Sequence, residues 1–353
     1  MPNGNVTNNR WLVVILVLCV AGISVSCVQP KRVGPSLLIQ AEPSWEAEHG
    51  LCVSTVVFSP DSGILASTGP RGTVKLWHAQ SGKPIRTLEG HKGVILSAAF
   101  SSSGRILASG GMRNPPTLWD VSSGKMIRQM MGKFKNATSV DLSPDGSVLA
   151  SGGKNVYLWD ISTGNLKRTL KSDADFIVAL RFSPNGKTLA AGRCDRRLML
   201  LDSHTGALKW VMEGYRDFPP AFSPDGRRLA VVNLGAKVGL WDAQTGQSLG
   251  RKVDWKKVGY PLSVAFSPDG KLLASGGERL RWQGKVLRKR AIIGGAVMIS
   301  DADTGERLWY KQFRKSRVWS VAFSPDGKLL AAGFDNGIVK VWRIRYTEKP
   351  SPR

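Results

Sequence analysis

The sequence predicts an all-β protein built from repeats, because two short motifs recur along it with one shared period. The first is a turn of the type Phe-Ser-Pro-Asp-Gly, in which proline presets φ, aspartate bonds nearby backbone N–H groups and glycine adopts a left-handed conformation. Seven copies of this turn begin at Phe58, Phe100, Leu142, Phe182, Phe222, Phe266 and Phe323. The second motif is of the type Leu-Trp-Asp, and its copies are centred on Trp77, Trp119, Trp159, Leu201, Trp241, Ser300 and Trp342. Successive turns are 40 to 44 residues apart except for a last step of 57, so one supersecondary unit is predicted to repeat.

The repeating unit is clearest in Val318–Trp342, which predicts three strands joined by two turns. Bulky and small residues alternate from Trp319 to Phe323, with the period of two that is typical of a strand. Asp335-Asn336-Gly337 is a second hairpin signal, and the residues after it are rich in the β-branched and aromatic types that favour strands.

With both motifs in phase, residues 37–346 resemble the WD-repeat family of β-propellers. A single four-stranded blade cannot bury both of its faces, so blades stack around an axis until the ring closes. The resemblance implies a seven-bladed β-propeller of four-stranded antiparallel blades. It also implies a non-catalytic scaffold that recognises its partners through loops on a rigid ring.

The last repeat lacks a fourth strand, since only eleven mostly polar or basic residues follow Trp342. Leu37–Gln40 stand just before the first repeat, where the outer strand of a blade is expected. We therefore expect Leu37–Gln40 to pair with the last blade and close the ring. Residues 347–353 are polar and Pro-rich and are predicted to form a disordered tail.

In the WD-repeat family, a polar network links a histidine before each blade to a serine, an aspartate and the motif tryptophan. Only the second repeat is expected to retain it, with His91, Ser109 and Trp119, and there Arg113 or Asn114 replaces the aspartate. His49 occupies the same place before the first repeat. The seventh repeat keeps Asp335 and Trp342 but is predicted to have Arg314 at the histidine position. We expect His49 and His91 to be structural, because one histidine per blade cannot assemble a metal or acid–base site.

Residues 1–26 predict a signal peptide or an N-terminal anchor. The apolar run Trp11–Ala21 follows Arg10, and it is shorter than the about 20 residues that a spanning helix needs. Ser26-Cys27 resembles the cleavage site of bacterial lipoproteins, in which the cysteine is lipidated. Three alternatives stay open: a lipid anchor on Cys27, an uncleaved anchor that extends through Val28, and ordinary secretion.

The first of these alternatives is favoured, so the protein is expected in the cell envelope and anchored at a membrane. Residues 27–36 then form a linker to the propeller. A secreted protein is the alternative location, and a cytosolic protein with an apolar N-terminus is a further reading of the same residues.

The sequence predicts no catalytic, cofactor-binding or metal-binding residue, since the common motifs of such sites are absent from it. Cys52 and Cys194 belong to different repeats and are expected to be too far apart for a disulfide. The alternative to a scaffold is a hydrolase-like propeller enzyme with its site at the central channel. Acidic and histidine side chains at the channel mouth would favour the enzyme, whereas basic and aromatic groups would favour a binding platform.

The net charge predicts an anionic partner. The chain has 50 Lys+Arg against 26 Asp+Glu, a formal charge of +24. For an exported protein we expect a protein partner or an anionic envelope surface, whereas nucleic acid is expected only if the protein is not exported. The propeller itself is expected to be a monomer.

The longest step between repeats identifies an insertion between Gly277 and Gly295, in the sixth repeat. Its alternating residues predict a projecting hairpin, on the face that also carries the connections between blades. A basic partner-binding surface is predicted there, formed by Lys256, Lys257, Arg279, Arg281, Trp282, Lys285, Arg288, Lys289, Arg290, Arg314, Lys315 and Arg317. The alternative is a solvated charge run in a disordered loop.

Overall fold

The computed structural model describes residues 37–130, 136–171, 176–256, 258–283 and 289–348. Residues 37–347 form one compact unit. The leader with Cys27, the linker, and residues 349–353 lie outside the described residues.

The described chain consists of 28 strands in seven four-stranded sheets, which confirms the predicted seven-bladed, all-β propeller. Blade one contains β2 (Thr55–Phe58), β3 (Ile64–Thr68), β4 (Val74–His78) and β5 (Pro84–Leu88). Blade two contains β6 (Ile95–Phe100), β7 (Ile106–Gly111), β8 (Asn114–Asp120) and β9 (Met126–Gln129). Blade three contains β10 (Ser139–Leu142), β11 (Val148–Gly152), β12 (Val156–Asp160) and β13 (Leu166–Leu170). Blade four contains β14 (Ile177–Phe182), β15 (Thr188–Arg193), β16 (Arg197–Asp202) and β17 (Leu208–Glu213).

The remaining blades differ more in strand length. Blade five contains β18 (Ala221–Phe222), β19 (Arg228–Asn233), β20 (Lys237–Asp242) and β21 (Ser248–Asp254). Blade six contains β22 (Gly259–Phe266), β23 (Leu272–Gln283), β24 (Lys289–Asp301) and β25 (Arg307–Arg314). Blade seven contains β26 (Val318–Phe323), β27 (Leu329–Phe334) and β28 (Ile338–Glu348), and its outer strand is β1 (Leu37–Glu48).

Ring closure occurs as predicted, in the strand order β1-β28-β27-β26. The closing strand has 12 residues and continues beyond the predicted Leu37–Gln40. Ile39 is buried with Trp342 in the core of blade seven. Trp45 reaches the next blade, where its Nε1 donates to the carbonyl oxygen of Ala79 at 2.7 Å. The N-terminal strand therefore joins blade seven to blade one through both packing and a hydrogen bond.

The hydrophobic cores lie between neighbouring blades, and the motif tryptophans of blades one, two, three and seven are buried in them. Trp119 of blade two is fully buried against Val74 and Leu76 of blade one. Trp159 of blade three packs in the same way against Met130 of blade two. Each indole thus fixes its blade to the preceding one.

Hydroxyl groups on the innermost strands add a second set of links between blades. The N–H groups of Val56, Val140, Leu180 and Val321 each donate to a serine Oγ of the preceding blade, at 2.9 to 3.1 Å. Those serines are Ser320, Ser97, Ser139 and Ser263, and each stands three residues before the turn motif. We call these contacts inner-strand links.

Blade five departs from this pattern because two prolines replace the residues that would link it. Pro219 stands at the serine position, and Pro220 has no N–H to donate. Ala179 replaces the serine in blade four, so both sides of the contact between blades four and five are lost. The inner strand of blade five is accordingly the two-residue β18, paired to β19 only through Ala221↔Ala230 and Phe222↔Leu229.

The predicted hairpin of blade six is confirmed over the described strands. β23 and β24 pair from Leu272↔Asp301 to Gln283↔Lys289, with one register shift between Arg279 and Leu280. The tip, residues 284–288, lies outside the described residues. The extra residues of the long repeat therefore extend the two middle strands of the blade.

Candidate functional site

The base of the blade-six hairpin lies between two connections that join neighbouring blades. Arg279 pairs with Gly259, just after the connection into blade six, and Arg314 pairs with Gly294, just before the connection into blade seven. The N–H of Lys315 donates to the carbonyl oxygen of Ile293 at 3.3 Å. We call this side of the ring the connection face; it carries the connections between blades and the loops between second and third strands. The opposite side, with the remaining turns, is the turn face.

Several predicted residues of the basic surface are described only in part. The backbone places Trp282 opposite Arg290, Arg281 opposite Ala291 and Lys289 opposite Gln283, whereas their side chains lie outside the described residues. Lys257, Lys285 and Arg288 lie wholly outside them. The predicted residues that the structure brings together are therefore Arg279, Arg314, Lys315 and, in the adjoining connection, Lys256.

Arg317 is not the free cation that the sequence led us to expect. Its backbone N–H and its Nε donate to the two carboxylate oxygens of Asp335, each at 2.8 Å. Its guanidinium also lies 5.2 Å from the ring centroid of Trp319. Asp335 belongs to the loop between β27 and β28, which the sequence could not place beside Arg317. The carboxylate of Asp335 therefore offsets part of the charge that Arg317 contributes to the predicted basic surface.

Two lysines that the sequence analysis missed extend the basic surface into blade five. Lys237 pairs with Asp254, and Lys252 pairs with Gly239, so both side chains lie on the same face of the blade. The nearby ammonium groups of Lys252 and then Lys256 lower the pKa of Lys237. A cluster of like charges with Asp254 as its counter-charge favours an anion. The signal was present in the sequence, but it appears only when β20 and β21 are paired.

Exposed apolar side chains are the second feature of the connection face that was missed. Leu51 is 61% exposed, Met112 54% and Ile292 50%, and Phe176 and Leu234 are also exposed. All five stand in connections between blades, in loops between second and third strands, or on the blade-six hairpin. They are spread over several blades, and apolar side chains set among cations are able to anchor a partner. The connection face therefore combines cations with apolar contacts.

The central channel is a cavity of about 810 Å³ lined by residues of the innermost strands. Asp141 and Arg181 lie in its wall, with the Nη1 of Arg181 3.4 Å from one carboxylate oxygen of Asp141. The other oxygen accepts the N–H of Phe182 at 2.7 Å. Burial raises the pKa of Asp141, and the Arg181 guanidinium opposes that rise. Asp141 thus links blade three to blade four through its ion pair with Arg181 and its hydrogen bond from Phe182.

The other ionisable groups of the channel wall are Asp217 and Cys52. Burial raises the pKa of both side chains, so the thiol of Cys52 stays protonated at neutral pH. Among the described lining residues no histidine stands beside a nucleophile. The described part of the chain also contains no group of His, Cys, Asp and Glu that could hold a metal ion. The channel wall therefore supplies no observation that favours catalysis.

The histidines form structural networks, in blade one as well as in blade two. His91 Nε2 and Trp119 Nε1 both lie 2.7 Å from the Oγ of Ser109. His49 Nδ1 and Trp77 Nε1 contact Ser67 in the same way, so the prediction that only blade two retains the network is wrong. Burial lowers the pKa of both histidines to about 4, so both are neutral at neutral pH.

Asn114 takes the place of the aspartate in blade two. Its Oδ1 accepts the N–H of Lys92 at 2.9 Å. In blade seven Phe313, rather than the expected Arg314, packs beside the motif tryptophan. Its ring centroid lies 4.7 Å from that of Phe334 and 6.0 Å from that of Trp342.

Comparison with known proteins agrees with this architecture. The family model "WD domain, G-beta repeat" matches residues 45–78, 82–114, 124–160, 164–202, 257–280 and 310–343, which together exceed half of the chain. The chain belongs to the WD-repeat family. Residues 203–256 of this WD-repeat protein are unmatched, and they contain the prolines and the short inner strand of blade five.

Three similar proteins come from three different organisms. The chain is 33% identical to the WD repeat-containing protein SL1-17 of Schistosoma mansoni, over 43% of this chain and 45% of that protein. It is 25% identical to the meiotic recombination protein rec14 of Schizosaccharomyces pombe, over 35% of each. It is 27% identical to the small ribosomal subunit protein RACK1y of Oryza sativa subsp. japonica, over 40% of this chain and 49% of that protein. The chain spans less than half the length of each of these curated relatives.

The described residues of this WD-repeat protein are all in strands, turns and connections, and none belongs to a helix that could cross a membrane. Cys52 and Cys194 are both free thiols. Among the described residues, the connection face presents both cations and exposed apolar side chains.

Proposed function

We propose that this WD-repeat protein is a non-catalytic scaffold that binds a partner protein through its connection face. One observation carries the proposal: exposed cations and exposed large apolar side chains occupy the same face. Interfaces commonly combine apolar anchors with a polar rim that selects the partner. An anionic envelope surface is the alternative partner, but Leu51, Leu234 and Ile292 favour a protein, whose own apolar groups would cover them.

The partner is acidic. The chain carries a formal charge of +24, and Lys237, Lys252 and Lys256 lie close enough to repel one another. Carboxylates of a partner would relieve that repulsion and would speed association through the long-range field of the protein. Because exposed charges are screened by salt, binding weakens as ionic strength rises.

Charge reversal on the two faces tests this proposal with matched variants. The connection-face variant is Lys252→Glu, Lys256→Glu and Arg314→Glu, and the control on the turn face is Arg105→Glu, Lys187→Glu and Lys328→Glu. All six side chains are exposed, so neither variant should change the melting temperature. After crosslinking and recovery from the native membrane fraction, the connection-face variant should retain less than about a tenth of the partner, and the control should retain it. Equal recovery from both variants contradicts the proposal.

The hairpin itself is tested by a second variant, Arg288→Glu, Lys289→Glu and Arg290→Glu. It should abolish recovery of the partner and leave the melting temperature unchanged. Undiminished recovery at every salt concentration would exclude the blade-six hairpin from the interface.

We further propose that the N-terminal segment holds the propeller at a membrane. The proposal rests on the apolar run Trp11–Ala21 and on Ser26-Cys27. Lipidation of Cys27 would add an acyl anchor, and several acyl chains together give stable membrane binding. Cys27→Ser should then release the protein from the membrane fraction or block its processing. Mass spectrometry that finds unmodified Cys27 in membrane-bound, full-length protein contradicts the lipid anchor and supports an uncleaved one.

A further inference from the structure

Blade four lacks the motif tryptophan, and this single difference opens a groove on the outer wall. Leu201 pairs with Leu189 in the register in which Trp119 pairs with Leu107 in blade two. In blades two and three the indole fills the space against the preceding blade. Leu201 is smaller than an indole and leaves part of that space empty.

The groove lies between β13 of blade three and the two outer strands of blade four, and its volume is about 440 Å³. That volume is within the range of small-molecule sites, about 300–1,000 Å³. Its apolar lining consists of Val156, Leu170, Met199, Leu201, Leu208 and Val211. Leu208 is 56% exposed and Val211 44%, so the groove is open to solvent along blade four.

Three cations and no carboxylate belong to the part of the lining that the structure describes. Arg193 is 92% buried, since its relative exposure is 8%. Its Nε and Nη2 donate to Asp195 at 3.1 and 2.7 Å, whereas among the described residues its Nη1 donates only to the Sδ of Met199, at 3.7 Å. A thioether is a weak acceptor, so Nη1 retains the capacity to donate to a ligand.

The other two cations, Arg168 and Lys171, stand on the side of blade three. The Nη1 of Arg168 donates to the carbonyl oxygen of Thr205 at 2.8 Å, which holds its guanidinium across the groove. Both side chains are exposed. The described lining therefore carries three positive charges, which outnumber the two carboxylates that bind lining residues from outside it, Asp195 on Arg193 and Asp202 on Thr205.

We propose that this groove binds an amphiphilic anion, a phosphate or carboxylate carried on an alkyl chain. The anionic group lies among Arg193, Arg168 and Lys171, and the alkyl chain lies on Leu201, Met199 and Leu208. Arginine suits such a group because its planar N–H donors match a carboxylate or a phosphate. Arg193 is already fixed by Asp195, so little side-chain entropy is lost on binding. This site is on the outer wall and does not depend on the connection face.

The test uses the full-length protein in phosphatidylcholine nanodiscs, titrated calorimetrically with octyl phosphate, with octanol and with inorganic phosphate. Octyl phosphate should bind saturably and at least tenfold more tightly than either of the other two. If inorganic phosphate binds as tightly as octyl phosphate, the groove is a site for a free anion, and the proposal of an amphiphilic ligand is wrong. No saturable binding of octyl phosphate overturns the site altogether.

Leu201→Trp restores the indole of blades two and three and should fill the groove, so it should weaken binding at least tenfold without lowering the melting temperature. Leu249→Trp is the matched control: it adds an indole to the exposed outer strand of blade five, outside the groove, and should bind as the unchanged protein does. If Leu201→Trp folds poorly, Arg168→Gln serves instead, since it alters only an exposed side chain. It should weaken the binding of octyl phosphate and leave the binding of octanol unchanged. Unchanged binding in Leu201→Trp or in Arg168→Gln contradicts the proposal. If an acidic, leucine-bearing peptide displaces octyl phosphate, the ligand of the groove is a protein segment, and the proposal of an amphiphilic anion is wrong.

Discussion

At the scale of single residues, the blades differ in which atom accepts a hydrogen bond from the buried indole N–H. Trp77, Trp119 and Trp159 each donate to a serine of the neighbouring strand. In blade five Val231 replaces that serine, and the Nε1 of Trp241 is buried without a partner. In blade six Trp255 enters from the connection and donates to Ser275 at 3.0 Å. The blades therefore differ in how they satisfy a buried indole N–H, although most of them keep a tryptophan in the core.

Ser109→Ala tests the value of the hydrogen bonds in blade two. The change leaves both the Trp119 indole and the His91 ring without their buried partner, so it should lower the free energy of unfolding by about 1–3 kcal/mol. Ser122→Ala, in an exposed turn, should change it by less than about 0.5 kcal/mol. Urea denaturation of both variants measures the difference, and equal stabilities contradict the account.

The two buried histidines also predict a pH dependence. Their pKa in the folded protein is about 4, below the usual 6.5, so the unfolded chain binds more protons between these values. The contribution of the two neutral histidines to the free energy of unfolding is therefore fully present above about pH 6.5, and it is lost as the pH falls toward 4. His91→Gln should reduce the loss of unfolding free energy over this window, as measured by urea denaturation at pH 7 and pH 4.5. A variant with the same pH dependence as the unchanged protein would show that His91 is not buried neutral.

At the scale of elements, the sequence predicted the blades, the closing strand and the blade-six hairpin, because each depends on local periodicity and turn chemistry. Contacts between distant elements could not be predicted from the sequence. The pairing of Arg317 with Asp335 joins a connection to a loop 18 residues away, and the Lys237–Lys252 cluster requires the register of β20 and β21. The exposed apolar residues of the connection face were missed because the sequence alone does not show which apolar side chains are left uncovered by neighbouring blades.

The absence of inner-strand links at blade five predicts uneven hydrogen exchange along the inner strands. The N–H groups of Leu180 and Val321 have a serine acceptor, whereas the serine that would accept from Val264 is replaced by Pro219. Local opening should expose β18 and β22 sooner than β14 and β26. Native-state exchange read by mass spectrometry should show faster exchange of Val264 than of Val321. Equal protection of the two amides contradicts a weak contact at blade five.

At the scale of the whole molecule, the ring is stable only when its two ends meet. Glu46 of β1 pairs with Lys340 and Glu42 pairs with Arg345, so charge complements the pairing of β1 with β28. A sheet edge that loses its neighbour is prone to pair with another chain. Closure therefore protects the molecule from association as well as from unfolding.

Deletion of residues 37–45 should expose the edge of β28, lower the melting temperature and cause association that increases with protein concentration. Trp45→Ala is the milder companion variant, since it removes one bond to Ala79 and leaves the strand in place. Light scattering and calorimetry measure both effects. A monomeric deletion variant with an unchanged melting temperature contradicts closure by β1.

Site-specific photocrosslinking tests the central claim, recognition through the connection face, most directly. A photoreactive amino acid is placed at Leu51, Leu234 or Ile292, all exposed on the connection face, and at Arg105 or Lys187 on the turn face. After irradiation of the native membrane fraction, the account predicts one common adduct from the three connection-face positions and none from the two turn-face positions. Adducts from the turn face alone, or from neither face, would contradict it.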